Sequence, residues 1–281
     1  MGMGIANGYR SRPVFGCALL IGLIIASSVF AQEKAGTAPD DTAELAKKLQ
    51  NPVAALISVP FQSNFEWGGG QHSDAFKYTL NFQPVIPISI TKNWNVISRT
   101  ILPIIQQDDL VPGTTQGGLG DALQSFFLSP KAPGWGGIIW GAGPVFLLPT
   151  STEDFLGAQK FGIGPTIVML RQASGWTYGL LANHIVSING TRATPNVRST
   201  FLQPFLSYTT KTHTTFGINT ESTYDWKGTK WTIPINPSVS QVLRIHKLPV
   251  SLQLGPKIYV EGPTEAPDWG IRFNFTLLFP R

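Results

Sequence analysis

The chain has 281 residues, of which only 13% are charged and 11% are aromatic, and it contains 29 glycines and 22 prolines. Soluble proteins carry about twice that share of charged residues, and so many turn-forming residues argue against a helix-rich enzyme. The formal net charge is +5, and no Lys/Arg cluster exceeds two adjacent residues. That is too weak a basic character to indicate a nucleic-acid partner.

Residues 1–31 have the pattern of a secretion signal. Arg10 and Arg12 form a basic start, an apolar run follows, and Ala31 is the small residue before the expected cut. The apolar run of about 14 residues is shorter than the ~20 that a spanning helix needs. We therefore expect a signal peptide and not a membrane anchor. Cys17, the only cysteine, precedes the apolar run, whereas a lipidated cysteine follows it, so lipidation is not expected.

Behind the signal we expect a leader over 32–52 and a β-barrel over 53–281. A short helix is predicted over 42–50, because Thr42 can cap it and the proline of Asn51-Pro52 ends it. After that, segments of alternating apolar and polar residues are separated by turn residues, which is typical of a transmembrane barrel. The predicted strands span 53–67, 77–90, 94–105, 118–129, 137–149, 159–171, 176–188, 199–210, 214–226, 230–243, 249–261 and 269–279.

The last predicted strand shows the alternation most clearly. One face carries Ile271, Phe273, Phe275, Leu277 and Phe279. The other carries Arg272, Asn274 and Thr276. Successive side chains of a strand point to opposite faces, so we expect the first set on lipid and the second in the lumen. The predicted fold class is all-β: a single transmembrane antiparallel β-barrel of about 12 strands with a short N-terminal helix.

Connection lengths and tryptophans support this barrel. The predicted outer loops, at 68–76, 106–117, 150–158, 189–198, 227–229 and 262–268, are mostly longer than the inner turns, at 91–93, 130–136, 172–175, 211–213 and 244–248. Barrels carry aromatic girdles at both interfaces. Four tryptophans fall at predicted inner ends: Trp94, Trp135, Trp140 and Trp176. Four fall at predicted outer ends: Trp67, Trp226, Trp231 and Trp269.

Prolines inside the predicted strands conflict with a regular wall, because each lacks a donor for the hydrogen-bond ladder. We expect ladder breaks near Pro84, Pro144, Pro165 and Pro234. Two interpretations are open: the prolines sit at bulges, or they open the wall and give hydrophobic solutes a sideways exit into lipid. The Gly-x-Gly strings before Pro144 and Pro165 do not continue as GxGxxG, so they do not indicate a dinucleotide site.

Charged residues at barrel depth are the sharpest functional signal. A lysine or arginine that faces lipid at the midplane costs about 2–4 kcal/mol, so these charges should face inward, where they can pair with one another, with the leader helix or with a solute. The candidate lumen-lining residues are Arg99, Glu221, Lys257, Arg272, Asn219, Asn81 and Asp225.

No catalytic residue, metal site or cofactor is expected. No histidine pair has metal-ligand spacing. His184 is the best candidate for a barrel lipase, but Ser187 is three residues away and points to the opposite face. We therefore do not expect an enzyme.

Several strings resemble one bacterial outer-membrane family. They include LAKKLQNPVAALISVPFQ, GLGDALQSFFLSPK, WGAGPVFLLPT, TFLQPFLSYTTK and NTESTYDWKG. The family is catalogued as transporters of the phenol meta-degradation pathway type, and some members carry the misleading label neuromedin U. The resemblance covers nearly all of 43–281 and implies a barrel and transport. It offers no catalytic residues. Many outer-membrane barrels end on an aromatic residue, whereas here Phe279 is followed by Pro280 and Arg281.

The sequence therefore predicts a channel or transporter for small solutes, aromatic or hydrophobic ones among them, in the outer membrane of a Gram-negative bacterium. The alternatives are a lipid-modifying enzyme and a structural barrel without transport. The expected partners are outer-membrane lipid, the barrel-assembly machinery and a small-molecule solute, and a monomer is favoured over an oligomer. A 12-stranded lumen should be narrow, and the sequence leaves open whether helix 42–50 plugs it.

Overall fold

The computed structural model describes residues 39–190 and 196–280, and the predicted signal peptide lies outside them. The chain begins with one helix, α1, over Pro39–Leu49, which starts three residues earlier than predicted. None of the described helices is long and apolar enough to span a membrane. The strand segments are β1 Ile57–Trp67, β2 Phe76–Phe82, β3 Val85–Ser89, β4 Trp94–Asp108, β5 Thr115–Leu119, β6 Ala122–Pro130, β7 Ile138–Leu148, β8 Lys160–Ala173, β9 Trp176–Gly190, β10 Arg198–Thr209, β11 Thr214–Thr220, β12 Ser222–Asp225, β13 Lys230–Ile245, β14 Leu248–Glu261 and β15 Trp269–Phe279.

These segments form a closed antiparallel barrel. Three wall strands consist of two segments each, β2 with β3, β5 with β6, and β11 with β12, so the wall has twelve strands. The last segment returns to the first, with a continuous register from Ile57 opposite Phe279 to Trp67 opposite Trp269. Closure leaves no strand edge unpaired. The structure confirms the predicted fold class and the predicted number of strands.

The two ends of the barrel differ. The leader end carries α1 and short connections, such as the two-residue turn between β8 and β9. In that turn Ser174 and Gly175 both have positive φ, 51° and 84°, the conformation of a type I′ turn, whose twist matches the flanking strands. The loop end, opposite, carries longer connections, among them 149–159 and 262–268.

Alternate side chains point into and out of the barrel. In β15, Arg272 and Leu278 are buried inside, while Ile271 and Phe273 are exposed outside, which is the orientation that the alternation predicts. Aromatic rings cluster at both ends of the outer face. Trp67 stacks on Trp269 at the loop end, with 4.7 Å between ring centroids. At the leader end Trp94 and Trp140 are 5.9 Å apart and Trp176 and Tyr208 are 4.9 Å apart.

The hydrogen-bond ladder is interrupted at all four prolines named from the sequence. Pro84 lies between β2 and β3. The register of β13 against β14 shifts at Pro234, a bulge. Beside Pro144 the pairing of β7 with β6 lapses for two residues without a shift. Beside Pro165 the pairing of β8 with β9 lapses in the same way.

Glycines that precede prolines bring neighbouring strands very close together. A Cβ atom at Gly143 would lie 2.0 Å from the carbonyl oxygen of Phe126, and one at Gly164 would lie 1.5 Å from that of His184. Gly255, before another proline, meets a neighbouring carbonyl in the same way. Real Cβ atoms do not approach so closely, so only glycine fits. The ladder lapses near these points but the neighbouring backbones stay in close contact, which argues against a sideways exit there.

Candidate lumenal site

The leader enters the barrel and packs against its inner wall. Leu45 and Ala46 on α1 are 5% and 1% exposed. They belong to an apolar cluster with Ala54, Leu56, Val242 and Leu278. Each buried leucine contributes about 1.5–3 kcal/mol. The wall also holds the helix end, since the side-chain amide of Gln172 donates to the carbonyl oxygen of Lys47 at 2.9 Å. The polar face of α1 carries an exposed ion pair.

That exposed pair joins Lys48 and Glu44, one helical turn apart, at 2.6 Å. The ammonium lowers the pKa of the Glu44 carboxyl by its hydrogen bond and by its charge.

A second apolar cluster forms around Val53, just after the helix. Its buried members are Ile97, Phe127, Val168, Leu170 and Leu181. The leader end of the lumen is therefore filled by apolar packing on two sides.

The loop half of the lumen is charged instead. We use the name charged belt for six side chains that face one another there: Glu66, Lys77, Glu221, Lys257, Tyr259 and Arg272. They come from five different segments, β1, β2, the β11–β12 junction, β14 and β15. Because strand pairing sets their positions, residues nearly 200 positions apart in the chain come into contact.

Arg272 and Glu221 form a two-pronged ion pair. The Nη1 and Nη2 atoms of Arg272 donate to the two carboxylate oxygens of Glu221 at 2.8 and 2.7 Å. The Nε atom of the same guanidinium donates to the Asn64 side-chain oxygen at 2.8 Å. Parallel hydrogen bonds between Arg and a carboxylate are among the strongest polar contacts in proteins. The pair therefore forms a rigid strut inside the lumen between β15 and the β11–β12 junction, which are separated in the wall by β13 and β14.

Glu66 is the second acidic centre of the charged belt. Its Oε1 atom accepts a hydrogen bond from Lys257 Nζ at 2.7 Å and another from the Tyr259 hydroxyl. The ammonium of Lys257 also lies 5.0 Å from the centre of the Tyr259 ring. Lys77 stands directly opposite Glu66 in the strand register. Lys77 makes no hydrogen bond or ion pair with any of the described residues, although its charge faces Glu66 and Lys257.

Between the charged belt and the leader lies a cavity of about 230 Å³. Arg99 on β4 lines it and donates from Nη2 to the side-chain oxygen of Gln83 at 3.2 Å. Gln83 in turn donates to Gln62 at 3.1 Å, and Asn81 donates to the same Gln62 oxygen at 3.2 Å. A second cavity, of about 430 Å³, lies beside the leader at the leader end.

The structure brings most of the predicted lumenal residues inside. Glu221, Lys257 and Arg272 join the charged belt, while Arg99 and Asn81 belong to the hydrogen-bonded chain next to the cavity. Asn219 accepts a hydrogen bond from Asn236 at 2.8 Å and lines the same cavity. Asp225 is placed elsewhere. It is exposed at the loop end, where its carboxylate accepts the Lys227 backbone N–H at 2.9 Å.

Three members of the charged belt were missed from the sequence: Glu66, Lys77 and Tyr259. Glu66 and Lys77 lie near strand ends and resemble solvated charges there. An available signal was the alternation in β1, since Glu66 shares the inward face of Asn64. Alternation also places Tyr259 on the face of Lys257, two residues before it, but a tyrosine near a strand end is typical of an aromatic girdle as well.

In the described part of the chain the two residues considered for catalysis, His184 and Ser187, have other partners. No group of three or more His, Cys, Asp or Glu side chains within 39–190 and 196–280 could hold a metal ion. The Nδ1 atom of His184 lies 2.8 Å from the Thr200 hydroxyl, and the imidazole packs against Trp226. The Ser187 hydroxyl instead accepts the backbone N–H of Val197.

Comparison with known proteins finds similarity in structure. None of the known family models matches the chain, and no curated protein matches it. A COG4313 outer membrane channel from Pseudomonas putida F1 superposes with a TM-score of 0.60 at 15% identity, over 80% of this chain and 94% of that one. The outer membrane phospholipase of Salmonella typhi reaches a TM-score of only 0.46 at 10% identity, over 87% and 99% of the two chains. The first likeness shows a shared fold, and the second is too weak to argue from.

Proposed function

We propose that this protein is an outer-membrane channel for small solutes whose lumen is plugged by the leader and narrowed by the charged belt. The observation that carries the proposal is a closed wall with a polar, charged interior that encloses a cavity between plug and belt. An 8-stranded barrel is filled by side chains and a 16-stranded one is open. Twelve strands leave room for a narrow path that side chains can block.

The outer surface supports a location in a membrane. Large apolar side chains such as Phe273, Leu254 and Ile258 are 40–52% exposed, and aromatic pairs flank both ends of the wall. Soluble monomers rarely expose an apolar band of that extent. A closed barrel, in contrast, satisfies its backbone hydrogen bonds within lipid. Outer-membrane lipid and the barrel-assembly machinery are then its partners, and the protein is exported by the segment 1–31.

We extend the proposal to solutes with an aromatic or hydrophobic part, in keeping with the resemblance to the phenol-pathway type. The inner wall supports this in one respect: apolar side chains line one side of the leader half, among them Ile97, Phe127 and Val168. A solute that displaces or slips past the leader meets this apolar surface on one side and amide groups on the other.

The plug is tested by loosening α1. Leu45→Asp places a carboxylate in the buried cluster, which should detach the helix from the wall and raise solute entry into proteoliposomes at least tenfold over the intact chain. Lys47→Gln, an exposed position on the same helix, is the matched control and should leave entry unchanged. Phenol uptake and bilayer conductance are the two measurements. Absence of any flux through both the intact chain and Leu45→Asp would refute the channel.

A further inference from the structure

Among the described residues of the charged belt together with Arg99, basic side chains outnumber carboxylates. Of the four basic side chains at the charged belt and at Arg99, two are matched by carboxylates: Arg272 by Glu221 and Lys257 by Glu66. Lys77 and Arg99 have no carboxylate at ion-pair distance among the described residues. Charges inside a barrel are usually paired, and one that is not marks a solute path.

Arg99 is the better placed of the two surplus cations, because it lines the 230 Å³ cavity. A guanidinium has five N–H donors, and the side chain uses one of them, toward Gln83. Among the described residues no further acceptor is found for this guanidinium, and the carboxylate whose charge acts on it, Glu221, lies beyond ion-pair distance. The planar fork of arginine matches the two oxygens of a carboxylate.

The same cavity also has an apolar side. Amide and hydroxyl side chains form most of its lining, and three apolar residues, Leu56, Val85 and Phe205, line it as well. Val85 stands directly opposite Arg99 in the strand register. A site for a strongly hydrated inorganic anion would be polar all round. Here a cation has an apolar side chain, Val85, as its direct neighbour, within a volume that holds roughly eight water molecules. That combination fits one small organic anion with a hydrocarbon body.

On the basis of the proposed channel function, we propose that this cavity binds a small organic monocarboxylate. Arg99 holds the carboxylate, and the hydrocarbon part lies against Phe205 and Val85. The surplus cations of the interior attract the anion from the loop end, and the anion leaves past the leader at the other end. The channel thereby takes up organic acids in preference to neutral or cationic solutes of the same size.

Binding of benzoate to the full chain in detergent, measured by calorimetry, tests this site, with benzamide as the neutral isostere. Benzoate should bind at least tenfold more tightly than benzamide. Arg99→Met should remove that preference, and Arg99→Lys should retain part of it. Lys92→Met, an exposed lysine in a leader-end turn, is the control and should bind benzoate as the parent does.

Gln83→Glu provides a second variant if Arg99→Met does not fold. It keeps the shape of the side chain but converts the hydrogen bond to Arg99 into an ion pair, so it should abolish benzoate binding in a folded barrel. Equal binding of benzoate and benzamide, or competition by inorganic phosphate as strong as that by unlabelled benzoate, would overturn the proposal. If phenol still enters proteoliposomes in that case, the organic-acid site is wrong and the channel stands. If benzoate binds but no solute enters proteoliposomes, the organic-acid site stands and the channel function is wrong.

Discussion

Removing one partner of the strut between Glu221 and Arg272 should destabilise the barrel strongly. Glu221→Gln keeps the shape of the side chain but leaves the guanidinium without its counter-charge. Two unit charges 4 Å apart attract by about 4 kcal/mol at an effective dielectric constant of 20, and the loss of one partner from a buried pair costs about 3–5 kcal/mol. The side chains of Arg272 and Glu221 are 7% and 22% exposed. Because water reaches the carboxylate, we expect about 3 kcal/mol.

Urea unfolding in lipid vesicles, followed by tryptophan fluorescence, measures this cost. The double variant Glu221→Gln with Arg272→Gln removes both charges, and its loss should fall short of the sum of the two single losses by about 2 kcal/mol. Glu44→Gln, which breaks the exposed pair with Lys48 on α1, is the control and should leave the unfolding midpoint unchanged. Additive single losses, with coupling below about 0.5 kcal/mol, would show that the strut is not a coupled pair.

Two further predictions concern the wall and its loops. Gly164→Ala should lower the free energy of unfolding by about 3 kcal/mol, the upper end of overpacking costs, because the new Cβ would meet the His184 carbonyl oxygen. The control is Gly117→Ala, whose Cβ would have only an ordinary contact at 3.8 Å. Equal losses for the two variants in urea unfolding would contradict the argument. The Asp121 carboxylate accepts hydrogen bonds from the backbone N–H groups of three residues of the loop 149–159, at 2.6 to 3.1 Å. Asp121→Ala should therefore make that loop a site of rapid limited proteolysis. An unchanged cleavage pattern would show that Asp121 does not anchor the loop.

The fold could be predicted from the sequence because its causes are local. Alternation in β15 puts Phe273 on one face and Arg272 on the other, and the period of two is a property of any strand. Tryptophans at strand ends and the relative lengths of connections depend on short windows as well. Even the ladder breaks followed from the proline ring, which lacks the N–H donor wherever it stands.

The partnerships within the lumen could not be predicted in the same way. The sequence indicates that Glu221 and Arg272 face inward, but not that they meet, because their contact depends on how twelve strands are staggered around the barrel. Glu66 and Lys257 are 191 positions apart. For Asp225 the alternation predicted the correct, inward face. The residue nevertheless lies at the end of its strand, where the carboxylate is exposed and binds the backbone of the hairpin.

The sequence by itself predicted about 12 strands, their faces and the places where the hydrogen-bond ladder breaks, since each of these follows from the backbone and side-chain chemistry of neighbouring residues. Only the tertiary structure decided which charges pair, that the leader lies inside the barrel, and that neighbouring strands stay in close contact at the Gly-Pro steps. Those outcomes depend on the distances between strands that are far apart in the sequence, and these distances are set only when the barrel closes.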